Sequence, residues 1–208
     1  MPNHCSNDLV ITGNSKLLNK LMKQVEITPS EETNEHSATK FSCHKVIPRP
    51  SSQDSNWYDW NINNWGSKWD CYDIGDENTE NYENGLIHYY FSTAWSPISK
   101  VIAELARQYP KLDFEYNYYE GGSDFWGKEF YSKGKLKSFE DGELSTASCE
   151  IKEFFEGSEH HTCRICENLY ECNGNLELCD DCLEEELNKE EELSKETESK
   201  TNDTFTKV

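Results

Sequence analysis

The stretch that decides the fold is Leu86-Ile87-His88-Tyr89-Tyr90-Phe91-Ser92-Thr93-Ala94-Trp95. It is rich in aromatic and β-branched residues, which is typical of a β-strand. One of its two alternating rows consists of Ile87, Tyr89, Phe91 and Thr93. A helix is predicted directly after this strand, because Ser96-Pro97 is a favoured helix start and apolar residues recur at helical spacing until Pro110. The apolar stripe of this helix is Ile98, Val101, Ile102, Leu105 and Ala106.

Further elements are predicted on both sides of this strand and helix. Upstream, the sequence predicts strands at residues 9–12 and 40–47, with a helix between them that begins after Ser15. Downstream, it predicts strands at residues 112–119, 125–131 and 135–139. This order is the split βαβ, or ferredoxin-like, pattern of the α+β class, an antiparallel sheet with two helices on one face. We assign this domain to residues 1–141.

An aromatic insert interrupts the domain at residues 56–74, with four tryptophans in thirteen residues. Its first part, residues 57–66, fits a helix stopped by glycine, and residues 69–74 fit an edge strand. Aromatic rings at this density pack in a core or form a binding surface. The candidate surface for a ligand or partner consists of Trp57, Trp60, Trp65, Trp95 and Asp59.

Three motifs in this domain resemble the YubB ferredoxin-like domain family. They are residues 3–13, residues 57–60 together with 64–70, and residues 91–97. The resemblance covers about residues 1–135 and implies a ferredoxin-like fold, in agreement with the order of elements. Members of that family are typically found on plasmids and phages. The resemblance implies no iron–sulfur cluster, and it carries over no catalytic residue.

Two C-x-x-C pairs mark the carboxy-terminal quarter, and twelve residues separate them. The predicted metal ligands are Cys163, Cys166, Cys179 and Cys182. Two such turns bring four sulfurs to the tetrahedral positions that zinc prefers, so we expect a structural Zn²⁺ ion and a small zinc-ribbon or knuckle module. Cys172, His160 and His161 are alternative ligands. Four thiolates leave no open coordination position, which argues against catalysis by this ion.

The regions around the zinc motif are polar and acidic. We expect a linker at residues 142–159, a zinc module at 160–193 that continues into an acidic helix, and a disordered tail at 194–208. The whole chain of 208 residues has a formal charge of −20. Such a chain repels phosphate backbones and anionic lipid, so generic nucleic-acid or membrane binding is disfavoured and a basic protein partner is favoured.

Location is inferred from what the sequence lacks. No run approaches the ~18 apolar residues of a membrane span. The first residues lack the charged and apolar regions of a secretory signal. We therefore expect a cytoplasmic protein in a reducing compartment, with free or metal-bound cysteines.

No motif in the sequence indicates an enzyme. Phosphate-binding glycine motifs are missing from the sequence. Cys43 and His44 are neighbours on a predicted strand and would point to opposite faces, which prevents a nucleophile–base pair. The favoured function is a non-enzymatic, mobile-element-encoded protein-binding factor, such as an acidic inhibitor of a host nucleic-acid-handling or defence protein.

Two other function classes remain open. One is a binding or sponge protein for a small, nucleotide-like ligand in a cleft near Trp57, Trp60 and Trp95. The other is single-stranded RNA binding, with bases stacked on Tyr89 and Phe91 or on Tyr90, as in sheet-based RNA readers. The acidic surroundings make RNA the less favoured of the two.

Overall fold

The computed structural model of the chain describes residues 3–32, 39–72, 85–147, 151, 161–162 and 169–170, the last two pairs by their backbone alone. The chain divides into two compact units, residues 1–146 and 147–208. The first unit contains the sheet, the helices and the aromatic insert.

The first unit is built around a five-stranded antiparallel sheet with the order β2-β1-β3-β4-β5. Its strands are β1 His4–Thr12, β2 Leu86–Ala94, β3 Asp113–Glu120, β4 Phe125–Ser132 and β5 Lys135–Gly142. Its helices are α1 Ser15–Val25, α2 Cys43–Val46, α3 Trp57–Asn64 and α4 Ser99–Gln108. Strands β2 and β3 flank β1, and α4 connects them, which is a split βαβ unit. The ferredoxin-like α+β fold expected from the sequence is confirmed.

The core lies on one face of this sheet. Alternate residues of β2, from Ile87 to Thr93, are buried, and the ring of Phe91 stacks on Phe41 with centroids 5.2 Å apart. The predicted apolar stripe of α4 is fully buried. At the start of α4, the hydroxyl of Tyr116 on β3 accepts a hydrogen bond of 2.9 Å from the amide of Ile98. Helix α4 is therefore joined to the sheet by polar as well as apolar contacts.

The strand predicted at residues 40–47 is wrong, since this segment contains the short helix α2. The Asp70 carboxylate accepts hydrogen bonds from the amides of Cys43 (2.6 Å) and His44 (3.3 Å) at its first turn. Cys43 and Val46, three residues apart, are both buried. The helix therefore depends on a capping side chain that is distant in the sequence.

The aromatic insert agrees with the sequence in its first half. Helix α3 ends at Asn64, and Gly66 follows with a φ of +96°. The edge strand predicted at residues 69–74 is reduced, within the described part, to a single bridge between Tyr72 and Ser92 of β2. Residues 73–84 lie outside the described part of the chain.

In the second unit, β6 His161–Thr162 pairs antiparallel with β7 Leu169–Tyr170. The sequence between them contains the first C-x-x-C pair. The four predicted zinc ligands, together with Cys172 and His160, lie outside the described residues. Across the described part of the chain, no helix has the length and apolar character needed to cross a membrane.

Candidate functional site: an exposed aromatic strip

A continuous line of aromatic rings and one lysine lies along the insert and reaches the start of β1. We call it the aromatic strip; it consists of His4, Trp57, Tyr58, Lys68, Trp69 and Tyr72. Three of its rings are exposed, since Trp57 is 37% exposed, Tyr58 49% and Trp69 40%. Large rings are normally buried, so such a group marks a candidate contact surface.

Ring contacts run along the whole strip. Trp57 meets Tyr58 edge to face, with centroids 5.9 Å apart. The Lys68 ammonium lies 5.7 Å from the centre of the Tyr58 ring and 4.9 Å from that of Trp69, within the range of cation–π attraction. Lys68 therefore bridges the helix α3 end of the strip and the segment that follows the helix.

The other end of the strip is built around Tyr72. Its ring contacts Trp69 at 6.3 Å and His4 at 5.6 Å between centroids. The Tyr72 hydroxyl also lies 3.0 Å from Nδ1 of His4. These contacts attach the strip to the first residue of β1.

Hydrogen bonds hold the segment that carries Lys68, Trp69 and Tyr72. Buried Asn61 on α3 donates from Nδ2 to the carbonyl of Lys68 at 2.9 Å. The Ser67 hydroxyl accepts from the amide of Ala94 at the end of β2, at 3.1 Å. The backbone of Tyr72 exchanges two hydrogen bonds with Ser92, of 2.8 and 3.1 Å. The rings are therefore presented by a fixed backbone.

The five surface residues predicted from the sequence differ in how far the structure exposes them. Trp57 and Asp59 on α3 are exposed, and Trp57 belongs to the strip. Trp60 is partly buried, and its ring packs edge to face on Trp65 at 5.7 Å. Trp65 is only 1% exposed, and its indole N–H donates to the carbonyl of Ile47. Its assignment to the surface is corrected, because it is a core residue.

Trp95, the fifth predicted surface residue, is exposed and has a backbone φ of +73°. This left-handed conformation is uncommon for a bulky residue and is held here by a hydrogen bond of 3.1 Å from its amide to the carbonyl of Asn3. Asn3 precedes His4, so the backbone of Trp95 lies beside the end of the aromatic strip.

The sheet itself offers fewer rings than the RNA interpretation requires. Tyr89 and Phe91 are buried, and both contact Phe41 on the helical side. Tyr90 is exposed and belongs to the alternate row of β2. A base-stacking platform on the row of Tyr89 and Phe91 is therefore excluded, and Tyr90 is the residue of that prediction that remains at the surface.

The expectation from the sequence that Cys43 and His44 form no nucleophile–base pair assumed a strand, and this premise is wrong. Both lie on helix α2 and not on a strand. The His44 ring packs edge to face on Trp65, with centroids 6.4 Å apart. The Cys43 sulfur faces another residue, Cys71.

Sequence reasoning missed most of the strip. Tyr58, Lys68, Trp69 and Tyr72 were visible as aromatic or basic residues of the insert, but nothing in their spacing paired them with His4. The one available signal was the density of rings around Lys68. The contacts depend on how the segment after α3 returns to the edge of β2, where Tyr72 pairs with Ser92.

Comparisons with known proteins agree on the fold. Residues 68–162 match a family described as "Ferredoxin-like domain in Api92-like protein". The chain is also similar to the crystal structure of a protein, api92, from Yersinia pseudotuberculosis, at 10% identity and a TM-score of 0.50, over 69% of this chain and 98% of that one. At this identity the likeness shows the fold alone. No curated protein matches the chain. Neither match carries the YubB name.

Proposed function

We propose that the protein is a non-enzymatic binding factor that contacts another protein through the aromatic strip. The observation that carries this proposal is the combination of exposure and rigidity at Tyr58 and Trp69. Tryptophan and tyrosine dominate many protein interfaces, since each buries a large area and has few rotatable bonds to immobilise. A strip that is already fixed loses little further entropy on binding.

The partner that fits this surface is a protein with a basic face. The chain has a formal charge of −20, and exposed Asp59 follows Tyr58 directly on α3. Aromatic faces attract arginine and lysine side chains, as the position of Lys68 against Trp69 illustrates. An acidic chain also attracts a basic partner over several ångströms and speeds the encounter.

We further propose that this basic partner is a host protein that handles nucleic acid or takes part in defence. The acidic protein would inhibit it by occupying a site built for phosphate groups. The resemblance to a plasmid and phage family supports a mobile-element origin. A cytoplasmic location fits the three described cysteines, which are all free.

A capture experiment tests the role of the strip. The wild-type chain, the double variant Tyr58→Ala/Trp69→Ala and the control Tyr90→Ala are each used to retain proteins from host lysate. Tyr90 is an equally exposed ring that lies outside the strip. We expect the double variant to retain the partner at least ~10-fold less, because rings at the centre of an interface contribute ~2 kcal/mol or more. The control should behave as wild type.

The same experiment can contradict the proposal in two ways. Equal retention by all three chains would show that the strip is not the contact surface. Retention that does not fall as the salt concentration rises would exclude the acidic attraction to a basic partner, because screening weakens exposed charges.

A second candidate function is the binding of a nucleotide-like molecule. The observation that favours it is the Lys68 ammonium placed between the rings of Tyr58 and Trp69, where a ring can stack a base and the ammonium can pair with a phosphate. A nucleotide at 100 times its Kd would raise the free energy of unfolding by ~2.7 kcal/mol. A nucleotide that stabilises wild type but not Tyr58→Ala/Trp69→Ala would favour this function over the first.

We also propose a structural zinc ion in the second unit, held by the four cysteines of the two C-x-x-C pairs. The antiparallel pairing of β6 with β7 supports this, because these two strands flank the first pair in the sequence. Small modules with few apolar residues commonly obtain their folding energy from such an ion.

A further inference from the structure

Two thiols from distant parts of the chain meet beneath the aromatic strip. Cys43 lies at the start of α2, and Cys71 lies in the segment that carries Trp69 and Tyr72. Their sulfur atoms are 3.6 Å apart, and both residues are buried. The carboxylate of Asp70 completes a group whose three potential ligand atoms all lie within 4.8 Å of one another.

The spacing of the two sulfurs matches that of a metal-bound pair. Two thiolates that each lie ~2.3 Å from one tetrahedral zinc ion are about 3.8 Å apart. A disulfide bond would require ~2.05 Å. The observed 3.6 Å between Cys43 and Cys71 is therefore close to the first arrangement and far from the second.

The carboxylate is oriented by the backbone on both sides of the cluster. Oδ1 of Asp70 accepts hydrogen bonds from the amides of Cys43 (2.6 Å) and Cys71 (2.8 Å), and Oδ2 accepts from the Ser42 hydroxyl (2.6 Å). Outer hydrogen bonds of this kind fix ligand direction in many metal sites. The same bonds hold the two cysteines in register with each other.

We propose that Cys43, Cys71 and Asp70 form a binding site for a thiophilic divalent cation, with Zn²⁺ as the physiological candidate. Each thiol releases its proton to solvent when the ion binds, so two thiolates and a carboxylate meet the divalent charge. The ion would connect α2 to the segment behind the aromatic strip. Its ligands are different residues from those of the proposed zinc module, and it does not depend on the proposed function.

Cadmium titration of the full-length chain tests the site, because Cd²⁺ gives a charge-transfer absorption for each thiolate that it binds. All six cysteines of the carboxy-terminal part, Cys149, Cys163, Cys166, Cys172, Cys179 and Cys182, are first changed to serine, so that Cys5, Cys43 and Cys71 are the thiols that remain. In this background we expect one equivalent of Cd²⁺ and an absorption typical of two thiolates. Adding Cys71→Ser should remove at least half of the absorption and weaken Cd²⁺ binding by more than ~10-fold.

The control is Cys5→Ser in the same background. Cys5 is a buried thiol of the sheet whose sulfur contacts the carbonyl of Ser6. We expect this variant to bind Cd²⁺ as the background does. Cys43→Ala is a second variant that keeps the buried position free of a hydroxyl group. We expect Cys43→Ala to lose the Cd²⁺–thiolate absorption and to keep the circular dichroism spectrum of the background variant.

Three results would overturn the proposal. The first is that the background chain shows no thiolate absorption with Cd²⁺, which would mean that Cys43 and Cys71 are two packed neutral thiols. The second is that the absorption survives in both Cys71→Ser and Cys43→Ala, which would place the bound ion elsewhere. The third is that the native chain has a mass two hydrogens lower than its reduced form and that Cys71→Ser removes this difference. That result would identify a disulfide in place of the metal site.

Discussion

At the scale of single residues, Gly66 is a position that tolerates no side chain. Its φ of +96° lies in the region that residues with side chains rarely adopt. A Cβ atom at this position would lie 2.6 Å from the carbonyl oxygen of Pro97, a backbone atom that cannot simply rotate away. Both conformation and space therefore require glycine between α3 and the segment that carries Lys68, Trp69 and Tyr72.

We expect Gly66→Ala to lower the free energy of unfolding by about 2 kcal/mol or more, because strain and a backbone clash add together. Gly121→Ala is the matched control, since a Cβ atom there meets nothing within 4 Å. It should change stability by less than ~0.5 kcal/mol. Urea unfolding of the two variants and wild type measures both values. Equal losses in the two variants would contradict the role given to Gly66.

Burial of individual rings is where the sequence was least informative. Trp65 and Trp69 lie four residues apart in the same insert, yet the first is in the core and the second is on the surface. The difference arises because Gly66 ends the helix between them and turns the chain. The spacing of residue types in the sequence does not show that the chain changes direction at Gly66.

At the scale of elements, the turn between β3 and β4 depends on Glu120. Its buried carboxylate accepts hydrogen bonds of 2.7 Å from the amides of Gly122 and Ser123, and one of 3.2 Å from the Asn3 side chain. Burial raises the pKa of this carboxyl group, but these hydrogen bonds outweigh it and leave the pKa below its ordinary value of 4.5. Glu120 therefore stabilises the fold in its charged form.

We expect Glu120→Gln to lose about 1–2 kcal/mol of stability at neutral pH, because an amide is a weaker acceptor for three donors. A group with a lowered folded-state pKa stabilises the protein fully above its unfolded-state value, and this stability is lost as pH falls through the folded-state value. The difference between wild type and variant should therefore shrink below about pH 4.5. Unfolding free energies measured from pH 7 downward test this.

Glu140→Gln is the control for this series, since Glu140 is an exposed residue of β5. Its effect should stay within ~0.5 kcal/mol at every pH. A difference between wild type and Glu120→Gln that stays constant into acid would mean that the carboxylate charge contributes nothing.

Elements with a strong local pattern were predictable from the sequence. The apolar stripe of α4 and the alternation of β2 each arise from residues a few positions apart, and both agree with the structure. Helix α2 was not predictable, because the Asp70 carboxylate that caps it lies 27 residues from Cys43. The aromatic strip was missed for the same reason, since His4 and Tyr72 are brought together by the sheet.

At the scale of the whole molecule, the two units are expected to depend on different forces. The first has a core of apolar and aromatic side chains. Residues 158–208 carry 15 acids and 5 bases and few apolar groups, so we propose that an ion replaces the core there.

We expect Cys179→Ser to lower the zinc content of the full-length chain by one equivalent and to make residues 160–193 more sensitive to proteolysis. Cys172→Ser is the matched control, because Cys172 stands outside the two paired spacings. It should keep the zinc content of wild type. Elemental analysis of the desalted proteins measures this, and loss of zinc from Cys172→Ser alone would reassign the ligands.

The position of β1 in the sheet has a consequence for how the chain folds during synthesis. Cys5 pairs with Thr93 of β2, and Ser6 pairs with Tyr119 of β3. Strand β1 is therefore translated before the two strands that flank it, and these leave the ribosome roughly 90 and 110 residues later. Until then its backbone groups stay unpaired, and such long-range pairing slows folding. A nascent chain stalled before residue 119 should be bound by chaperones that recognise unpaired strands.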